Sequence, residues 1–134
     1  MKKILLPKGV AKPRGNYSHG VLAKPGVLLF IAGQTAIGPD GAIVGIGDPY
    51  LQAKQVFENM AAVLSEAGSD FNDIVKITTY ITDISYRVKV NEARKEYFQQ
   101  DFPASTLVVV KGLADADFLV EIEAIACIAK DVTK

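Results

Sequence analysis

Residues 102–129 read FPASTLVVVKGLADADFLVEIEAIACIA: an apolar β-type run, a short polar connection at 114–117 (ADAD), and a second, longer apolar run. Side chains alternate faces along a strand. Val120, Ile122, Ala124, Ala126 and Ile128 therefore share one face, and Glu121, Glu123, Ile125 and Cys127 share the other. A strand that is wholly apolar on one side and sets two carboxylates among apolar neighbours on the other reads as central in a sheet. It is also the first place to look for chemistry.

Working outward, a helix is predicted from about Ser85 to Gln100. Tyr86, Val90, Ala93, Tyr97 and Phe98 form its buried side, and Arg87, Arg94, Lys95 and Glu96 its wet side. Before it, Ile74–Thr82 alternates as a strand, with Val75, Ile77, Thr79 and Ile81 on one face and Lys76, Thr78, Tyr80 and Thr82 on the other. A first helix starts at Asp48-Pro49, since Asp caps free N–H groups and Pro fits the first turn. Ala53, Val56, Phe57, Met60, Ala61 and Leu64 give it one apolar stripe, and Gly68 is placed to end it. Val27–Ala32 is a buried strand ended by Gly33-Gln34. The Pro39-Asp40-Gly41 turn predicts a hairpin with a shorter second strand, Ala42–Ile46. Residues 1–16, with Pro7, Gly9, Pro13 and Gly15, read as loop. The last two strands are Thr106–Lys111 and Phe118–Ala129. Two amphipathic helices need one apolar sheet face, so the expected fold is an α+β two-layer sandwich: a mixed β-sheet with two helices on one side. The other sheet face, mixed in character, suggests burial by another subunit.

The 134 residues are one domain's worth, residues 1–134. Fifteen basic residues balance fifteen acidic ones, which leaves no surplus to neutralise phosphates and argues against nucleic acid as a partner. The one cysteine, Cys127, has no partner for an internal disulfide and reads as a small buried hydrophobe. No metal site is suggested. No apolar run approaches the ~20 residues a spanning helix needs, and Pro7 and Lys8 interrupt the N-terminal run, so neither a membrane span nor a signal peptide is expected. A cytoplasmic protein is the default.

Several segments resemble the Rid family, the YjgF-type reactive-intermediate deaminases: Tyr17, Ala32-Gly33-Gln34, DIVKITTYITD (73–83), VNEARKEYF (90–98), Phe102-Pro103-Ala104 and EIEAIA (121–126). The likeness covers nearly the whole chain. It implies a chorismate-mutase-like fold, a homotrimer with ligand clefts between subunits, and no cofactor. It also implies hydrolysis of enamines or imines to ammonia and a keto product. Glu121 matches the glutamate that orients the attacking water, and Tyr17 and Asn91 match site-lining residues. Ala32 replaces a serine that often lines the site. Ser105, followed by Thr106, stands where the family has the arginine that grips a substrate carboxylate. The 13–19 segment, PRGNYSH, is more similar to the 2-aminomuconate deaminase branch.

Taken alone, these residues have plainer readings. Tyr17 packs its ring, Arg14 is a loop cation, the lone His19 is structural, Asn91 is a surface helix residue, and Glu121 and Glu123 are solvated. With the resemblance, Glu121 and Tyr17 are candidate catalytic residues, and Arg14, Ala32, Asn91, Ser105 and Thr106 candidate substrate-binding residues. A serine hydroxyl cannot replace a bidentate guanidinium. Truncating one partner of a buried charge pair costs about 2–5 kcal/mol. Another cation is therefore wanted, Arg14 first and Lys111 second. The alternative to a deaminase acting on 2-iminopropanoate, 2-iminobutanoate or an aminomuconate-like compound is a non-catalytic homotrimer that binds a small metabolite. A ribonuclease is the least supported reading.

Overall fold

In the computed structural model, which describes residues 2–129, the final run of the opening stretch is the hub of the sheet. Eight elements follow in order: β1 (Lys2–Leu5), β2 (Gly20–Ala23), β3 (Val27–Gln34), α1 (Pro49–Glu66), β4 (Ile74–Ile81), α2 (Arg87–Arg94), β5 (Ala104–Val109) and β6 (Val120–Ile128). The main sheet has the order β3-β6-β4-β5. β6 runs antiparallel to both β3 and β4, while β4 and β5 are parallel. The sheet is mixed and both helices cover one face, as predicted.

That covered face is the core. Val120, Ile122, Ala124, Ala126 and Ile128 are all buried, as the alternation of β6 required. Val56, Phe57, Met60 and Leu64 of α1 and Val90 and Ala93 of α2 pack against them with Ile77 and Ile81 of β4. Gln52 is buried too, but its amide donates to the carbonyls of Gly45 and Asp117, and its oxygen accepts from Leu119 N–H at 2.9 Å. It thus ties the start of α1 to the approach to β6 without an unsatisfied group. Asp48 caps α1 by accepting from Leu51 N–H at 3.0 Å. Gly68, at φ 70°, closes the other end, where Ser69 N–H reaches Leu64 O at 2.9 Å. This is the left-handed ending that glycine favours.

Five sequence expectations are corrected. Residues 1–16 are not all loop: β1 pairs antiparallel with β2 as a separate ribbon. Pairing, which single-strand patterns do not reveal, supplies that order. The Ala42–Ile46 strand is reduced to one bridge, Ile37↔Ile43, because Gly45 and Gly47 take positive φ and turn the chain away toward α1. The second helix begins with a 3-10 turn at Ile84–Tyr86, where Asp83 accepts from Ser85 N–H, and its α-helical part ends at Arg94. β5 starts and stops two residues earlier than expected, because its register is set by parallel pairing of Ala104 with Lys76 through Val109 with Ile81. Finally, an extra residue in β4, between Ile74 and Lys76, puts Ile74 rather than Val75 in the core. A bulge of this kind shifts every side chain before it by one position.

The opposite sheet face is uncovered in the single chain. It carries Leu28 and Phe30 of β3, Tyr80 of β4, Val108 of β5, and Glu121, Glu123 and Ile125 of β6. Phe30 is 69% exposed and Leu28 54%.

Candidate active-site cleft

One cleft of about 740 Å³ opens where the 14–19 segment meets α2 and β5. Its first wall is held by Ser18, which is buried: its backbone N–H donates to Pro103 O at 3.1 Å and its hydroxyl to Phe102 O. Ser18 also bridges Ala104 in parallel. The Phe102-Pro103-Ala104 segment leading into β5 thereby anchors the 14–19 segment. Tyr17 is half-buried, and its hydroxyl accepts from Arg14 N–H at 3.3 Å. The His19 ring meets the Tyr17 ring edge to face at 5.6 Å. His19 Nε2 lies 2.6 Å from Ala11 O. A carbonyl can only accept, so Nε2 carries the proton.

The second wall is one stripe of α2. Arg87, Asn91 and Arg94 recur at four- and three-residue steps, which places them above one another on a helix, and all three line the cleft. Ser105 and Leu107 of β5 complete it.

Arg94 is the residue that sequence reasoning assigned to the wrong side. Only 7% of it is exposed. Nη1 donates to Ser105 Oγ at 3.0 Å and Nη2 to Asn16 O at 3.2 Å. The guanidinium lies 5.5 Å from the centre of the Phe98 ring. Nε is buried and has no partner among the described residues. Burial pushes the Arg94 pKa down to about 10. An arginine beside Lys95 and Glu96 has the local look of a solvated face, which is why it was misread. The usable signal is its three-residue spacing from Asn91, together with Ser105 at the position where the family resemblance places an arginine.

Among the described residues, Arg14, Arg87, Arg94 and Lys95 form no ion pair; the two pairs present are Lys54–Glu96 and Lys89–Glu92. The cleft therefore holds four cations and no carboxylate in a chain of zero formal net charge. Lys111, the other cation considered, is exposed past the end of β5 and does not line the cleft.

The remaining candidates lie on the uncovered sheet face. β3 carries one extra residue relative to β6 between Ile31 and Gln34, so Ala32-Gly33 forms a bulge. Glu121 fills the space beside it. A Cβ on Gly33 would stand 2.0 Å from Glu121 Oε2, so glycine is required for the carboxylate to lie there. Ala32 and Glu123 border a shallow hollow of about 350 Å³ with Phe30, Lys76 and Thr78. Thr106 Oγ1 accepts from Lys76 Nζ at 2.8 Å. Burial raises the Tyr80 pKa above the usual phenol range, and the nearby Glu123 and Glu121 carboxylates add to the effect. One chain thus gathers Arg14, Tyr17, Asn91 and Ser105 in the cleft and leaves Ala32, Thr106 and Glu121 outside it. No group of three His, Cys, Asp or Glu among the described residues is clustered closely enough to hold a metal ion. No helix of the described residues is long and apolar enough to cross a membrane.

Comparison with known proteins adds the following. A family model described as Endoribonuclease L-PSP matches residues 9–128. A RutC family protein of Pyrococcus abyssi is 41% identical over 125 residues, 93% of this chain and 96% of that one. Human 2-iminobutanoate/2-iminopropanoate deaminase is 37% identical over 112 residues, 84% of this chain and 80% of that one. Among solved structures, a protein of unknown function of the conserved Rid family from Yersinia pestis superposes with a TM-score of 0.86 at 31% identity, covering 95% of this chain and 98% of that one.

Proposed function

The chain belongs to the Rid family, matched by the model described as Endoribonuclease L-PSP, and from that premise we propose that it hydrolyses the C=N bond of a small, reactive, carboxylate-bearing imine, or of an enamine once tautomerised to the imine. Water adds to the C=N carbon and a C–O bond forms; both of its protons pass to nitrogen, the C–N bond breaks, and ammonia leaves as the oxygen becomes the carbonyl of the product. The carbon is already electrophilic once the nitrogen is protonated. What the protein must supply is orientation of substrate and water. The observation that carries this reading is the compact cationic cleft, with a buried guanidinium on Ser105 and with Tyr17 and Asn91 beside it. Its volume suits a small molecule. An endoribonuclease would need a basic track along the surface; the clustering of Arg14, Arg87, Arg94 and Lys95 in one compact cleft of a chain with zero net charge favours a small-molecule ligand instead.

Glu121 is the proposed water-orienting carboxylate. It lies on the sheet face where Phe30 and Leu28 are exposed. Copies of the chain, three in this reading, pack those faces together and carry Glu121 of one copy to the cleft of the next.

The test couples a flavin amino-acid oxidase, which generates 2-imino acids, to semicarbazide trapping of whatever imine survives. The wild type should lower the trapping rate, and Glu121→Gln should lose about 10²-fold or more of that effect. A wild type that leaves trapping unchanged for every imine offered sinks the hydrolytic reading. A second reading, a non-catalytic metabolite-binding homotrimer, is favoured by Ser105 standing where the family resemblance places an arginine. It predicts binding without turnover, and turnover gained by Ser105→Arg.

A further inference from the structure

We infer that the cleft binds a small dicarboxylate end to end along α2, with Arg94 gripping one carboxylate and Arg87 the other. The inference rests on reading this cleft as the ligand site, and it holds whether or not the bound molecule is hydrolysed.

Arg94 is the first observation. A guanidinium that is more than nine-tenths buried, with no carboxylate partner and no Nε partner among the described residues, is a charge they leave uncompensated. Such a charge is costly to bury unless something supplies the counter-charge. The two partners it has, Ser105 Oγ and Asn16 O, are neutral and fix its orientation without neutralising it. Ser105 thus acts as a positioning residue: its small side chain leaves room for the Arg94 head to come forward and holds it there through Nη1.

The count of charges is the second. One carboxylate would be met by one guanidinium, yet the cleft also presents Arg87, Arg14 and Lys95, none of them in an ion pair among the described residues. The third is their arrangement. Arg87 and Arg94 are two helical turns apart on one stripe, about 10 Å between backbone positions. Two long cationic side chains lining one cleft from that separation suit a ligand with anionic groups at both ends of a short carbon chain. They do not suit a single compact anion. Asn91, between them on the same stripe, is placed to hydrogen-bond the middle of the ligand.

Calorimetric titration of the full-length protein tests this, with 2-oxoglutarate as the dicarboxylate, 2-oxobutanoate as the monocarboxylate, and inorganic phosphate as a dianion whose charges are not separated. The wild type should bind 2-oxoglutarate at least about tenfold more tightly than either of the others. Arg87→Met should collapse that preference to about one. Arg94→Met should weaken binding of both 2-oxoglutarate and 2-oxobutanoate at least about tenfold. Lys89→Met removes the same charge from the same helix outside the cleft, and should leave the preference intact. Equal affinity for all three probes overturns the inference, as does a preference that survives Arg87→Met. A preference that vanishes equally with Lys89→Met reduces the effect to general charge and overturns it too. Should imine turnover be absent while the Arg87-dependent preference is present, the hydrolytic reading fails and this one stands.

Discussion

Arg94 sets a trade between stability and binding. Its pKa is lowered, to about 10, from an ordinary value of 12.5. A lowered pKa on a cation means that burial opposes the charged form in the folded state. The opposition is fully present below about pH 10 and is relieved only as pH rises beyond it. Arg94→Met removes that penalty together with two hydrogen bonds to neutral partners. Replacing a buried charge by an apolar side chain of similar length is often neutral or stabilising. The expected result is a Tm equal to or above wild type by differential scanning calorimetry, with 2-oxoglutarate raising the Tm of the wild type and not of the variant. Gly33 supports a second prediction at this scale. Gly33→Ala pushes the Glu121 carboxylate out of the space it occupies, since Oε2 lies 2.0 Å from the new Cβ. The displaced group is the end of a flexible side chain, so Tm should hold near wild type while imine turnover falls about as far as in Glu121→Gln, roughly 10²-fold. Unchanged turnover would remove Glu121 from the mechanism. The candidate site was legible in part. Tyr17, Asn91 and Ser105 were found by motif. Arg94 was not, because burial of a charged helix residue depends on a strand and a loop distant in sequence.

The elements were read well where one residue decides one contact. The α1 limits follow from Asp48, Pro49 and Gly68, and the cap is testable. Asp48→Ala removes the acceptor for Leu51 N–H and should cost about 1 kcal/mol in urea unfolding at unchanged m-value. A loss under a few tenths would mean that water serves the helix start equally well. The two faces of β6 were read from alternation alone. Reading failed where pairing, not local pattern, decides. β1 exists because β2 lies beside it. Val75 is displaced because β4 carries one more residue than β6 across the same interval. β5 ends at Val109 because β4 ends at Ile81. Likewise the α-helical part of α2 is shorter than its apolar spacing suggested, since residues 95–97 form turns that still deliver Phe98 to the core.

For the whole molecule, the uncovered sheet face makes a concrete prediction about assembly. Phe30 lies opposite Ile125 across β3 and β6 and is 69% exposed in the single chain. Under the proposed assembly, light scattering should give wild type three times the mass of one chain, and Phe30→Asp should shift it toward the mass of one. A wild type that runs as a monomer would end the shared-site reading of Glu121. The mixed character of the face was legible from alternation, whereas a covering partner and the number of copies are not encoded in the pattern of one strand. The sheet order has a further consequence, for the time course of synthesis. Among the described residues β6 is last in chain order, yet it lies between β3 and β4 and is the sole neighbour of β3 in the main sheet. While a growing chain has not yet exposed Val120–Ile128, β3 has no strand to join. The apolar stripe of α1 meanwhile lacks most of the surface it will cover. Such non-local closure is slow, so the nascent chain carries a sticky, half-made layer until β6 has left the ribosome. A ribosome-tethered chain halted before β6 should be the form that chaperones capture and proteases cut.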